Sequence, residues 1–149
     1  MLGFKYRNHR AVASLFVELL LARLRAVPDL GRIDVVTWVP TTRERRMERG
    51  HDQAETLARI MGRSLGVPVR KLLERETAGH QTGHSRAQRL VGVALRARSM
   101  STPSTVLVVD DVVTTGATMR IAQRALYQAG ATRVICAAVA STPAPAPRR

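Results

Sequence analysis

The chain has 149 residues, 45% of them hydrophobic but only 3% aromatic, and a formal net charge of +13. These values predict one globular domain with an aliphatic core, and they exclude a disordered chain and disfavour a protein that stacks single-stranded bases on aromatic rings. The charge is almost all arginine, which indicates anionic partners, although a coding bias toward arginine explains it equally well.

The hydrophobic pattern predicts alternating helices and strands. Val12, Leu15, Phe16, Leu19 and Leu20 have the spacing of one helix face. In chain order we expect a helix over 9–25, a strand over 33–40, a helix over 52–65 ended by Gly66, strands over 67–73, 91–97 and 105–109, a helix over 118–129 ended by Gly130, and a strand over 132–140. The strands are unbroken apolar runs, which favours an α/β fold with a parallel-sheet core flanked by helices.

One domain is expected over residues 1–141, followed by a disordered proline-rich tail over 142–149. Cys136 is the only cysteine, which excludes an internal disulfide or thiolate zinc site, and we expect it to be a buried small hydrophobe. Glu18 interrupts the first apolar stretch, so we predict neither a secretory signal nor membrane insertion. These features indicate a cytoplasmic protein.

Ligands of parallel sheets bind beyond the carboxyl ends of the strands, and two stretches of this sequence lie there. The first follows Pro40 and contains arginines at 43, 45, 46 and 49. Several guanidinium groups at such an edge can bind pyrophosphate, although a solvated helix face would have the same composition. His80 and His84 lie further on, but the residues between them do not favour a helix, so we do not predict a metal site there.

The second stretch begins with Asp110 and Asp111 after an apolar run. A carboxylate pair can hold a divalent metal or accept hydrogen bonds from a sugar diol. The small-residue loop that follows favours the diol with a phosphate attached, because Gly116 permits close approach and a helix begins there. The helix dipole supplies only about 0.3–1 kcal/mol, so hydrogen-bond donors must supply the rest. An ordinary strand-to-helix turn with side-chain caps is the alternative.

Residues 106–118 resemble the signature of the type I phosphoribosyltransferases. The resemblance implies that Asp110 and Asp111 bind the ribose hydroxyls of phosphoribosyl pyrophosphate. It assigns the 5′-phosphate to Thr114, Thr115, Gly116, Ala117 and Thr118. It also implies Mg²⁺ bound through the substrate rather than by direct protein ligation, and it identifies no catalytic side chain.

The wider pattern resembles the ComF/GntX family of competence-associated phosphoribosyltransferase-like proteins. Its positions are held in order by Val39, Pro40, Arg49, Gly50, Gln53, Ala54, Gln81, Gly83, Ser85 and Arg89. The resemblance places pyrophosphate at Thr41, Thr42, Arg43 and Arg49, and a flexible lid loop containing Gln81, Gly83, Ser85 and Arg89 in the stretch that begins at Glu74. His51 and Asp52 stand where phenylalanine and asparagine are usual.

Three functions remain open from the sequence. The first is a Mg²⁺-dependent phosphoribosyltransferase acting on an unidentified nitrogen acceptor. Thr114 stands where hypoxanthine-guanine enzymes carry an aspartate, which disfavours a 6-oxopurine acceptor. The second is a non-catalytic DNA-uptake protein that binds single-stranded DNA through its basic surface, with a competence helicase as partner. The third is a regulator that senses phosphoribosyl pyrophosphate. The oligomeric state is not predicted.

Overall fold

The computed structural model describes residues 2–42, 47, 52–76, 94–102 and 104–142, without side chains for 2–11. The helices are α1 (Leu2–Arg25), α2 (Gln53–Leu65) and α3 (Ala117–Gln128). The strands are β1 (Val35–Trp38), β2 (Leu73–Arg75), β3 (Leu95–Ala97), β4 (Ser104–Val113) and β5 (Ala131–Ser141). Helices and strands therefore alternate much as the hydrophobic pattern predicts.

The central sheet is parallel and has the strand order β1-β4-β5. A further parallel bridge joins Val36 to Val69, with Val36 N donating to Pro68 O at 3.0 Å. The strand predicted over 67–73 is therefore shorter than expected. It is reduced to this bridge, and the chain then turns away from the sheet into β2.

Strands β2 and β3 form a separate antiparallel pair in which Glu74 lies opposite Arg96. Glu74 also accepts two hydrogen bonds from Arg98, at 2.6 and 3.1 Å, which add side-chain contacts to the backbone pairing of the two strands. Glu74 and Arg75 thus belong to a strand and not to the lid loop predicted to begin at Glu74. The remaining lid residues, Gln81, Gly83, Ser85 and Arg89, lie outside the described residues.

Side chains cover both faces of the parallel sheet. On one face, α1 and α2 pack against a cluster that includes Val36, Leu107 and Val109. On the other face, α3 and the β2-β3 pair pack against Val106 and Val108. These strand residues are fully buried, which explains why β1 and β4 read as continuous apolar runs. The predicted parallel-sheet architecture is confirmed.

Helix α1 contacts the core with a different face from the one marked by the apolar spacing. Val17, Leu21 and Leu24 are buried, and Leu20 packs partly against them. The stripe formed by Val12, Leu15, Phe16 and Leu19 is 39–57% exposed. Apolar residues occupy nearly every side of this helix, so their periodicity alone does not identify the buried face.

Helix α2 has both of its ends where the sequence places them. Asp52 is the N-cap, and Gly66, at φ 68°, is the C-cap in the left-handed region. Gly62 lies against the chain that returns to the sheet, because a Cβ there would be 2.2 Å from Val69 Cγ2. The absence of a side chain at Gly62 therefore lets α2 pack directly against the 67–69 segment.

One prediction at the end of the chain needs correction. Cys136 is exposed rather than buried, and in the described part of the chain β5 is an edge strand of the parallel sheet that pairs with β4. The boundary of the tail stays a prediction, and its first residue, Thr142, donates its backbone N–H to Val113 O at 3.0 Å. Residues 143–149 lie outside the described part of the chain.

Candidate functional site

The two adjacent aspartates lie within β4 and not after its end. β4 was expected to finish at Val109, but it continues to Val113 because β5 pairs with it as far as Ser141. On the other side, β1 pairs with β4 only as far as Val109. Asp110 and Asp111 therefore lie where one neighbouring strand has ended and the other still supports the backbone. This is the carboxyl edge at which parallel sheets bind ligands.

Local backbone hydrogen bonds orient the carboxylate pair. Asp111 N donates to Asp110 Oδ1 at 2.9 Å, and Val112 N donates to Asp111 Oδ1 at 2.8 Å. Both aspartates are partly buried, while Val112 is 50% exposed. Each carboxylate therefore has a defined direction while the edge remains accessible to a ligand.

Burial raises the pKa of Asp110 to about 7, and the hydrogen bond that its protonated carboxyl donates to the Asp111 side chain and the negative charge of Asp111 add to the rise. The backbone N–H of Asp111 and the positive charge of Arg75 oppose it. Close to neutral pH the pair therefore holds a proton for part of the time. Such a pair can both donate to and accept from the hydroxyls of a diol.

The threonine loop leads into α3 through a glycine. Gly116 is the N-cap at φ 71°, and no side-chain hydrogen bond caps the helix at this residue. Thr115 Oγ1 accepts from Ala117 N at 3.3 Å, and Thr114 and Thr115 are exposed. Gly116, Ala117 and Thr118 are partly buried. The loop thus presents hydroxyls and backbone N–H groups beside a positive helix end, the features that suit a phosphate.

Arg120, in the first turns of α3, contacts this loop and was not predicted from the sequence. Its Nη1 donates to Thr115 O at 3.2 Å, and a Cβ at Gly116 would lie 3.1 Å from the same nitrogen. The guanidinium therefore lies against the threonine loop. Its position four residues after the N-cap, one helical turn on, is the signal that could have identified it.

The chain leaving β1 forms the other side of this edge. Thr41 and Thr42, both assigned to pyrophosphate, are partly buried there. The backbone N–H of Thr41 donates to Asp52 Oδ2 at 3.0 Å, so this N–H is already used within the protein. Arg43 and Arg49, the other two residues assigned to pyrophosphate, lie outside the described residues.

Arg75 is a second residue that the sequence analysis missed. Its Nε donates to Pro40 O at 2.6 Å, and its charge lowers the pKa of Asp110. It therefore links β2 to the end of β1 and acts on the carboxylate pair. The three-residue strand that positions Arg75 is too short to show a hydrophobic period, so the sequence was read there as a loop.

Among the residues that the structure describes there is no group of three or more His, Cys, Asp or Glu side chains arranged to hold a metal ion. None of the helices described is both long enough and apolar enough to cross a membrane.

The fold and the arrangement at this edge define a phosphoribosyltransferase-type domain. The family model for the phosphoribosyl transferase domain matches residues 51–149, and the chain belongs to that family. Within it the protein is ComF-like. It is 27% identical to the competence protein ComFC of Bacillus subtilis over 130 residues, which are 85% of this chain and 52% of ComFC. The chain thus spans about half the length of that relative.

Solved structures of similar fold include several phosphoribosyltransferases. The allosteric regulatory enzyme of purine biosynthesis matches with a TM-score of 0.58 and 27% identity over 88% of this chain and 26% of the enzyme. An adenine phosphoribosyltransferase matches with a TM-score of 0.57 and 19% identity, covering 86% of this chain and 68% of the enzyme. The purine phosphoribosyltransferase of Pyrococcus horikoshii matches with a TM-score of 0.54 and 19% identity, covering 86% and 71% of the two chains. The last two likenesses concern the fold.

Proposed function

We propose that this protein binds Mg²⁺–phosphoribosyl pyrophosphate at the carboxyl edge of β4 and transfers the phosphoribosyl group to a nitrogen acceptor that is not a 6-oxopurine. The observation that carries the proposal is the order of features along one short stretch. The oriented pair Asp110–Asp111 is followed, after four residues, by the glycine N-cap of α3. Diol acceptors and a phosphate site thus lie on the same run of chain.

Each part of the ligand has a matching group. Asp110 and Asp111 accept hydrogen bonds from the ribose hydroxyls, and the backbone and hydroxyls of 114–118 bind the 5′-phosphate. Thr41 and Thr42, with Arg43 and Arg49, bind the pyrophosphate beyond β1. Positioning and fixed charge are the protein's contribution to the transfer.

The proposed ligand also suits the metal. Mg²⁺ keeps several waters and is commonly held through substrate phosphates. The pyrophosphate of the ligand would supply these oxygens, so that the metal needs no direct protein ligand. Mg²⁺ would neutralise charge on the pyrophosphate leaving group, while Asp110 and Asp111 hold the sugar.

Calorimetric titration of Mg²⁺–phosphoribosyl pyrophosphate tests the proposal. We expect binding to the wild type and none to the Asp110→Asn/Asp111→Asn variant. The control is Glu18→Gln/Asp29→Asn, which removes the same charge from exposed positions on and just after α1. Control variant and wild type should bind alike. If the wild type binds the ligand, amines and bases are then screened as acceptors. Absence of binding to the folded wild type would refute the proposal.

DNA binding is the second candidate, favoured by the likeness to ComFC, which is named a competence protein, and by the exposed arginines. These include Arg32, Arg59, Arg63, Arg70, Arg96 and Arg124. Charge spread in this way suits contacts with a nucleic-acid backbone, whose affinity falls steeply with salt. Titration of single-stranded DNA at two salt concentrations distinguishes it from the first function, and a competence helicase would be its partner. A cytoplasmic location is part of both proposals.

A further inference from the structure

Asp52 has a buried carboxylate that the sugar and phosphate assignments do not use. Asp52 is only 7% exposed, and among the residues that the structure describes it is the one charged residue that is buried. A buried carboxylate is costly unless hydrogen bonds satisfy it, so the identity of its partners matters.

The two carboxylate oxygens of Asp52 serve different elements. Oδ1 accepts from Glu55 N at 3.4 Å, which is the N-cap contact of α2. Oδ2 accepts from Thr41 N at 3.0 Å, eleven residues away along the chain. The shorter bond is therefore the long-range one. An N-cap needs one oxygen, whereas the carboxylate of Asp52 supplies two.

The bond to Thr41 completes a set of three. Val39 N donates to Val109 O at 2.9 Å, Pro40 O accepts from Arg75 Nε at 2.6 Å, and Thr41 N donates to Asp52. Three consecutive residues are thus held by β4, β2 and α2 in turn. Val109 directly precedes Asp110, so the held segment runs beside the carboxylate pair.

We infer that Asp52 is a positioning residue that fixes the backbone of Thr41 at the carboxyl end of β1. It thereby sets where the hydroxyls of Thr41 and Thr42 meet the pyrophosphate of the ligand. The effect on pyrophosphate rests on the proposed function, whereas the position of the Thr41 backbone does not. Asp52 itself acts through Thr41 and does not touch the ligand.

Asp52→Asn separates this role from helix capping. The amide has one acceptor oxygen in place of two, and with that oxygen on the N-cap contact of α2 the amide nitrogen cannot accept the Thr41 N–H. Asp52→Ala removes both contacts. The matched control is Thr56→Val, which removes the 3.2 Å hydrogen bond from Thr56 Oγ1 to Asp52 O and leaves the carboxylate in place. All three variants are compared by thermal unfolding to establish that they fold.

Two measurements follow. Limited trypsin digestion with mass spectrometry gives the rate of cleavage after Arg43, which follows the held segment, relative to cleavage after Arg124. Calorimetry gives the affinities for inorganic pyrophosphate and for ribose 5-phosphate. For Asp52→Asn we expect cleavage after Arg43 to rise about fivefold and pyrophosphate binding to weaken by a similar factor, with ribose 5-phosphate unchanged. Thr56→Val should match the wild type in both.

Two results would overturn the inference. One is wild-type behaviour of Asp52→Asn with changes confined to Asp52→Ala, which would make Asp52 an ordinary helix cap. The other is tighter pyrophosphate binding by Asp52→Asn, which would mean that the carboxylate acts by repelling the anion. If the wild type binds neither ligand, the proposed function is wrong, and the cleavage rates alone then decide whether Asp52 holds Thr41.

Discussion

Arg75 and Pro40 are joined by a 2.6 Å hydrogen bond from the guanidinium Nε of the one to the carbonyl oxygen of the other. They are 35 residues apart in the chain, and the bond ties β2 to the exit of β1. The same guanidinium is close enough to Asp110 for its charge to lower the pKa of that carboxyl. One side chain therefore couples the antiparallel pair to both sides of the candidate site.

Replacing Arg75 should alter the titration of Asp110. In Arg75→Ala the loss of positive charge should raise the pKa of Asp110 further above about 7, because one of the influences that lower it has gone. NMR titration of the aspartate carboxyl carbons measures this directly. Arg75→Lys keeps the charge and is the control, so a rise of equal size in both variants would contradict the charge as its cause.

The raised pKa of Asp110 also predicts how stability depends on pH. The carboxyl has a pKa of about 7 in the folded chain and an ordinary pKa of 3.8, so between these values the folded state binds more protons than the unfolded state. Stability should therefore fall as pH rises through this window. Asp110→Asn removes the effect and should unfold a few degrees higher than the wild type at pH 8, with a smaller difference at pH 5.

Thermal unfolding at these two pH values checks the prediction. Asp34→Asn, in a residue whose carboxylate accepts from Thr105 N at 2.9 Å at the other end of the sheet, serves as the comparison. It should be no more stable than the wild type at pH 8. An equal stabilisation by both substitutions would show that the overall charge, and not Asp110 in particular, is responsible.

Arg120 should contribute to phosphate binding. Its guanidinium lies against the threonine loop through the bond to Thr115 O, and a cation there adds to the positive end of α3. We expect Arg120→Ala to weaken ribose 5-phosphate binding by about tenfold, the loss of one charge-assisted hydrogen bond. Arg124→Ala, an exposed arginine one turn further along α3, is the matched control and should bind as the wild type does.

Gly62 should be intolerant of any side chain. A Cβ there would lie 2.2 Å from Val69 Cγ2, so Gly62→Ala must displace the segment that bridges to β1. The expected loss is about 1–3 kcal/mol in the free energy of unfolding, measured with denaturant. Gly62→Ala/Val69→Ala removes the obstructing methyl groups and should recover part of it. Strict additivity of the two single changes would contradict direct contact as the cause.

The sequence predicted the elements that are determined locally. The ends of α2 follow from a capping aspartate and a glycine with positive φ, and the site around Asp110 follows from acids and a glycine spaced along one segment. The sequence did not predict that β4 continues through two adjacent acids, because that depends on pairing with β5.

Long-range contacts explain the other differences. The exposed stripe of α1 could not be distinguished from its buried face, since both are apolar. The roles of Arg75 and Asp52 depend on partners 35 and 11 residues away, and no local pattern of residue types encodes such distances. The arginines after Pro40 and the lid residues remain predictions.

The unequal lengths of the strands have a mechanical consequence. Beyond Val109 the acidic end of β4 extends past the end of β1, and among the described residues its ladder hydrogen bonds run to β5 alone. In the part of the chain that the structure describes, β5 is an outer strand of that sheet, so fraying of β5 would leave the backbone of both aspartates without a paired neighbour. How firmly the edge strand is held should therefore decide how firmly the two carboxylates are oriented, and Ala138, which pairs with Asp110, and Ala140, which pairs with Val112, become part of the support of the candidate site.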